Sequence, residues 1–92
     1  MLKIFQISGH SLYPLYKDKQ RVLCRKVFKH TKIKPQDTIV FKEATHGLMI
    51  KQVKHSKNAQ YFVQGTDPFS QDSRDFGYIT FQAIKYKVLF KF

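Results

Sequence analysis

Two residues 40 positions apart (51 − 11) could together do covalent chemistry in this chain. They are Ser11, in Ser8-Gly9-His10-Ser11-Leu12-Tyr13-Pro14, and Lys51, in Met49-Ile50-Lys51-Gln52-Val53. A serine hydroxyl is a weak nucleophile until a base removes its proton. A lysine can be that base if it is held neutral, which requires an apolar setting, because desolvation disfavours the ammonium. Side chains alternate along a strand, so Lys51 shares a face with Met49 and Val53 while Leu48, Ile50 and Gln52 share the other. A second reading makes Lys51 an edge-strand lysine facing water, a common guard against aggregation. Ser11 likewise has two readings, a turn residue ahead of Pro14 or a nucleophile. Gly9 would let the backbone come close to a substrate strand, and the Ser11 N–H is a candidate donor to a developing oxyanion.

The same residues carry a family resemblance. Gly9-His10-Ser11-Leu12-Tyr13-Pro14 resembles the Gly-x-Ser-Met-x-Pro box of type I signal peptidases, with Leu12 in place of Met. Lys34-Pro35-Gln36-Asp37-Thr38-Ile39-Val40-Phe41 is similar to their Pro-Gly-Asp-Ile-Val-Val-Phe box, with Gln36 in place of Gly. Met49 to Val53 resembles the Ile-Lys-Arg-Val box of the catalytic lysine. Tyr61 to Asp67, followed by Ser70-Gln71-Asp72-Ser73-Arg74-Asp75-Phe76-Gly77-Tyr78-Ile79, resembles the last box, with Thr66 in place of Asp and Asp67 in place of Asn.

This resemblance to the Ser/Lys peptidases of the signal peptidase and LexA-like clan implies roles for particular residues. Ser11 would be the nucleophile, Lys51 the general base, and Ser70 the group that orients the lysine amine. Asp72 and Arg74 would support the site as an ion pair, and the Ser11 backbone N–H would meet the oxyanion. Some members add a hydroxyl two residues before the nucleophile; here that position is Gly9, so a donor is missing or comes from elsewhere. The substrate implied is a peptide or protein with small residues before the cut, and no cofactor or metal is needed. The length and the ending Val88-Leu89-Phe90-Lys91-Phe92 resemble the small members proposed to mature nickel-type superoxide dismutase. Members usually carry a membrane anchor before the serine box, whereas ten residues precede Ser11.

The elements that must position these residues are short and mostly extended. Leu2–Ile7, Arg21–Phe28, Thr38–Lys42, Leu48–His55, Tyr61–Gln64 and Lys85–Phe92 read as strands, the last with Tyr86, Val88 and Phe90 on one face. Leu12–Lys17 reads as a turn or short helix, Lys34–Asp37 as a turn, and Phe81–Ile84 as one helical turn. Ser56-Lys57-Asn58 is the expected hairpin connection, and Gly65–Gly77 a long polar loop. The expected fold is a mainly β single domain spanning 1–92, a small sandwich or partly open barrel of short, mostly antiparallel strands with little helix, as the resemblance also implies.

Composition sets the remaining bounds. Ninety-two residues allow one small domain, and 42% hydrophobic residues are too many for a disordered tail. A net charge of +11 suits either a soluble, lysine-rich surface or an anionic partner. An anionic membrane surface is the partner to consider there, and nucleic acid the weaker one, since charge alternating with aromatics also describes any half-buried strand. Cys24 is the one cysteine, so it forms no internal disulfide, and it reads as a packed thiol. His10, His30, His46 and His55 lack metal-ligand spacing. No segment is long enough to span a bilayer, so the expectation is a soluble chain, cytoplasmic or peripheral to a membrane. Two other functions compete with a leader- or pro-segment-cleaving endopeptidase. One is a self-cleaving LexA-type regulatory domain, although the chain has neither the Ala-Gly nor the Cys-Gly bond that those domains cut. The other is a non-catalytic basic β-domain that binds nucleic acid or an anionic membrane surface, and a peptidase fold that has lost activity is a further reading.

Overall fold

Apolar residues alternating along short β-branched and aromatic runs build one sheet from seven strands. They are β1 (Leu2–Gln6), β2 (Arg21–Lys26), β3 (Thr38–Glu43), β4 (Gly47–Lys57), β5 (Gln60–Gln64), β6 (Ile79–Thr80) and β7 (Ile84–Lys91). A computed structural model describes residues 1–9, 11–67 and 71–92. The strand order is β1-β2-β7-β3-β4-β5-β6, and every neighbouring pair is antiparallel. The mainly β, antiparallel expectation holds, and it takes the form of a single open sheet with β1 and β6 at its edges. Helix is confined, among the described residues, to one turn of α-helix, α1 (Ser73–Phe76), and a 3₁₀ turn at Phe81–Ala83.

β3 lies near the middle and is buried on both faces, from Thr38 through Phe41. Ile39 and Phe41 pack on one side with Val53, Val63, Ile79 and Ile84. Val40 packs on the other side with Ile7, Val22 and Cys24. Each face of the sheet therefore carries its own core, which is why β3 reads as an unbroken apolar run.

Two β-bulges set the faces of β7. Val40 pairs with Tyr86 but Phe41 pairs with Ile84, so the extra residue Lys85 sends Ile84 and Tyr86 to opposite cores. Cys24 pairs with Val88 but Leu23 pairs with Phe90, so Phe90 leaves the face of Val88 and stands 55% exposed. The one-face reading of Tyr86, Val88 and Phe90 is thus corrected at Phe90, because strict alternation fails where a residue is inserted.

Two connections also differ from expectation. The β4–β5 turn is centred on Asn58 and Ala59, both at positive φ (51° and 61°), as a tight two-residue hairpin requires. The polar stretch from Gly65 to Gly77 contains α1, which opens with a capping box: the Asp72 side chain accepts from the first turn while the Asp75 carboxylate accepts from the Asp72 N–H. The Leu12–Lys17 segment is a turn, closed by a hydrogen bond from the Tyr16 N–H to the Leu12 carbonyl at 3.0 Å, with Leu12 buried.

Candidate active site

β4 is the longest strand, and its two halves have different neighbours. Gly47–Gln52 pairs with β3, whereas pairing with β5 begins only at Gln52. On the side away from β3, the first half of β4 is therefore an open edge among the described residues. Val53 exchanges backbone hydrogen bonds with Gln36 and Asp37, so the odd-numbered residues of β4 turn their backbone polar groups toward β3. In an antiparallel ladder the intervening residues point the other way, so the N–H and C=O of Leu48 and Ile50 face the open edge.

β1 ends in a matching edge. Ile7 donates to Gln20 and accepts from Lys19, both at 2.7 Å, and Met1 accepts from Lys26. The odd residues of β1 thus face β2, and those of Gln6 and Ser8 face outward. Gln6, Ser8, Leu48 and Ile50 all line one cleft of about 350 Å³, within the range of ligand-binding clefts. Ser11 and Lys51 line the same cleft.

Lys51 stands on the face of Met49 and Val53, as alternation predicts, and pairs with Ile39 across to β3. It is 3% exposed, and Val53 and Ile39 are fully buried. Lys51 does lie on the stretch of β4 that has β3 as its one strand neighbour, but the alternative that puts its amine in water is corrected, because the side chain is buried. Burial pushes its pKa below the ordinary lysine value; the Asp72 carboxylate opposes that shift and the Arg74 guanidinium adds to it. Loss of the ammonium's hydration outweighs the attraction of the nearby carboxylates.

Ser11 is half-buried, and its carbonyl is fastened to the loop after β5. It accepts from the Thr66 N–H at 2.6 Å, from the Asp67 N–H at 3.2 Å and from the Thr66 hydroxyl at 3.2 Å. The Thr66 hydroxyl also hydrogen-bonds the Tyr13 carbonyl. Thr66 therefore holds the serine turn through its N–H and its hydroxyl.

Asp72 and Arg74 anchor the next stretch. The fully buried Asp72 carboxylate accepts from the Gly65 N–H at 3.0 Å, from the Arg74 N–H and Nε, and from Arg74 Nη2 at 2.6 Å. Those hydrogen bonds outweigh the effect of burial and hold its pKa below the ordinary carboxylate value. Arg74 also donates to the Asp67 carbonyl at 3.1 Å, and the Ser73 hydroxyl accepts from the Val63 N–H at 2.8 Å. One cluster thus ties β5, the Gly65–Asp67 loop and α1 together behind Lys51. Ser70, the expected orienting residue, lies outside the described residues, as does His10.

Gly9 adopts φ +88°, and its N–H donates to the Asp18 carboxylate at 2.8 Å. A Cβ there would meet nothing within 4 Å, so within this chain glycine serves the backbone conformation and not a close approach. Ser8 and His46 are among the cleft residues that have no role in the sequence analysis. Ser8 lines the cleft directly, and His46, in the β3–β4 turn, lines it while its Nδ1 lies 2.6 Å from Glu43 Oε1. Nothing in the sequence marks His46 as a cleft residue, because its place follows from where β4 loses its second neighbour.

Cys24 is fully buried, and burial pushes its thiol up to about 11, which leaves it an inert packing group. No group of His, Cys, Asp and Glu suited to a metal ion occurs among the described residues. None of their helices is long and apolar enough to cross a membrane. No protein-family model matches the chain, and no curated protein matches it at significance.

Proposed function

We propose that this chain is a serine endopeptidase using a Ser11/Lys51 dyad on an extended peptide. The observation that carries this reading is a buried lysine with a lowered pKa lining the same cleft as a serine, between two open strand edges. An extended peptide in the cleft would meet the backbone groups of Gln6 and Ser8 on one side and of Leu48 and Ile50 on the other, adding a strand to both edges. The resemblance to type I signal peptidases supplies the substrate class, with small residues at the first and third positions before the cut.

Neutral Lys51 Nζ takes the Ser11 hydroxyl proton as Oγ bonds to the scissile carbonyl carbon. The oxyanion that forms is met by the Ser11 N–H. As the tetrahedral species collapses, the C–N bond breaks and the leaving amine takes the proton from Lys51. A water that gives its proton to Lys51 then attacks the ester, and Oγ recovers that proton as the acid product leaves. Ser70, by resemblance, aims the lysine amine.

The test is cleavage of a peptide with Ala at those two positions by wild type, Ser11→Ala and Lys51→Met. Each variant should lose more than about a thousandfold in kcat/KM while its circular dichroism stays native. Unchanged cleavage by either folded variant contradicts the dyad.

A further inference from the structure

Beyond Leu48 the cleft adjoins a second concavity of about 610 Å³, since Leu48 lines both. Lys3, Lys26, Lys29 and Lys85 line this second space, and none of the six Asp and Glu side chains does. Their local repulsion is relieved by no ion pair among the described residues, where the salt bridges are His46–Glu43, Arg74–Asp72 and Lys87–Asp37. Lys85 Nζ donates to the Gln82 carbonyl at 3.0 Å, and Lys3 Nζ sits 5.1 Å from the Phe5 ring centroid and 5.9 Å from that of Tyr86. Val27, Phe28, Leu48, Phe81 and Ile84 line the same hollow, so the lysines share it with apolar side chains. A charge spread evenly for solubility would not gather four lysines around one hollow beside the cleft.

We propose that this hollow receives an acidic side chain of the peptide substrate, on the part preceding the cut, and so sets substrate preference. The placement rests on the peptidase reading and on a peptide running parallel to β1, so that the residues before the cut at Ser11 pass Ser8 and Gln6 on the way back toward Lys3. Lys3 lies five residues before Ser8 on the chain (8 − 3 = 5). A peptide extended beside β1 advances about 3.3 Å per residue, as β1 does, which puts the acidic residue roughly five to seven positions before the cut.

Two peptides that differ only in Glu or Gln at those positions test this, both with Ala at the first and third positions before the cut. Binding to the uncleaving Ser11→Ala chain is read by fluorescence anisotropy, and cleavage by the native chain is read as KM and kcat. The Glu peptide should bind about fivefold more tightly, with the gain in KM and not in kcat. The preference should fade in 0.5 M salt and vanish when Lys3, Lys26, Lys29 and Lys85 are all changed to Gln, the Gln peptide being handled as before. Equal binding of the two peptides, or a preference that survives loss of the four lysines, overturns the proposal whether or not cleavage is seen. So does a four-lysine effect confined to phosphatidylglycerol vesicles, which would assign the hollow to a membrane surface. Binding that prefers Glu in a chain whose cleavage survives Ser11→Ala would leave the hollow assigned and the dyad refuted.

Discussion

Lys51 lies directly opposite Ile39 in the β3–β4 register, both nearly or fully removed from water. An ordinary strand would place a second apolar residue there. Keeping an ionisable amine in that position costs stability whenever it is protonated, because the unfolded chain can hydrate the ammonium and the folded one cannot.

That cost gives Lys51→Met a defined signature. The folded lysine has its pKa lowered from the ordinary 10.5, chiefly by burial, so between its folded value and 10.5 the unfolded state binds more protons. Wild-type stability must therefore rise with pH across that window. Lys51→Met should be more stable than wild type by about 1 to 3 kcal/mol at pH 7, with the gain shrinking as pH approaches 10.5. Urea denaturation of both proteins at several pH values reads this directly; a variant less stable at pH 7 would contradict a costly buried amine.

The neighbouring ion pair tunes the same group in two directions. Asp72 raises the pKa of Lys51 and Arg74 lowers it, both secondary to burial. In the proposed mechanism kcat/KM rises with pH as Lys51 loses its proton. Asp72→Asn, which keeps a capping oxygen for α1, should move that limb to lower pH. Arg74→Gln should move it to higher pH, since the carboxylate then acts on Lys51 unopposed. Limbs that shift together, or not at all, would show that the pair does not act on the base.

Much of this arrangement could be read in advance, and what could not has a physical reason. The strand that holds Ile39 is legible as a β-rich run, and the shared face of Met49, Lys51 and Val53 follows from alternation along β4. The exposed side of Phe90 is not legible because a bulge inserts a residue without any composition mark, whereas α1 is marked by the capping-box spacing of Asp72 and Asp75. The open edge at Leu48 and Ile50 was illegible, because it depends on β5 pairing with only the second half of β4. His46 and Ser8 belong to the cleft for the same non-local reason.

Gln36 is a departure whose effect can be measured. It occupies φ +79° in the Lys34–Asp37 turn, at the position where the resembling box has glycine. Its carbonyl accepts from Gln52 Nε2 and its N–H donates to Val53, and neither contact needs its own side chain. Removing a Cβ from a left-handed residue relieves about 1 kcal/mol of strain, partly offset by a more flexible unfolded chain. Gln36→Gly should raise the melting temperature by a few degrees with catalysis unchanged. A lower melting temperature would mean that the side chain contributes more than its backbone geometry costs.

A Ser11/Lys51 dyad must form a covalent bond at Ser11 during turnover. The chain is mixed with a p-nitrophenyl ester of a short peptide ending in Ala-Lys-Ala, quenched in acid within seconds and analysed by intact mass and peptide mapping. The expected result is a gain of one peptidyl group, with p-nitrophenol released, located on Ser11 and absent from both Ser11→Ala and Lys51→Met. No adduct on the native chain while the ester is turned over, or an adduct carried by another residue, would contradict it.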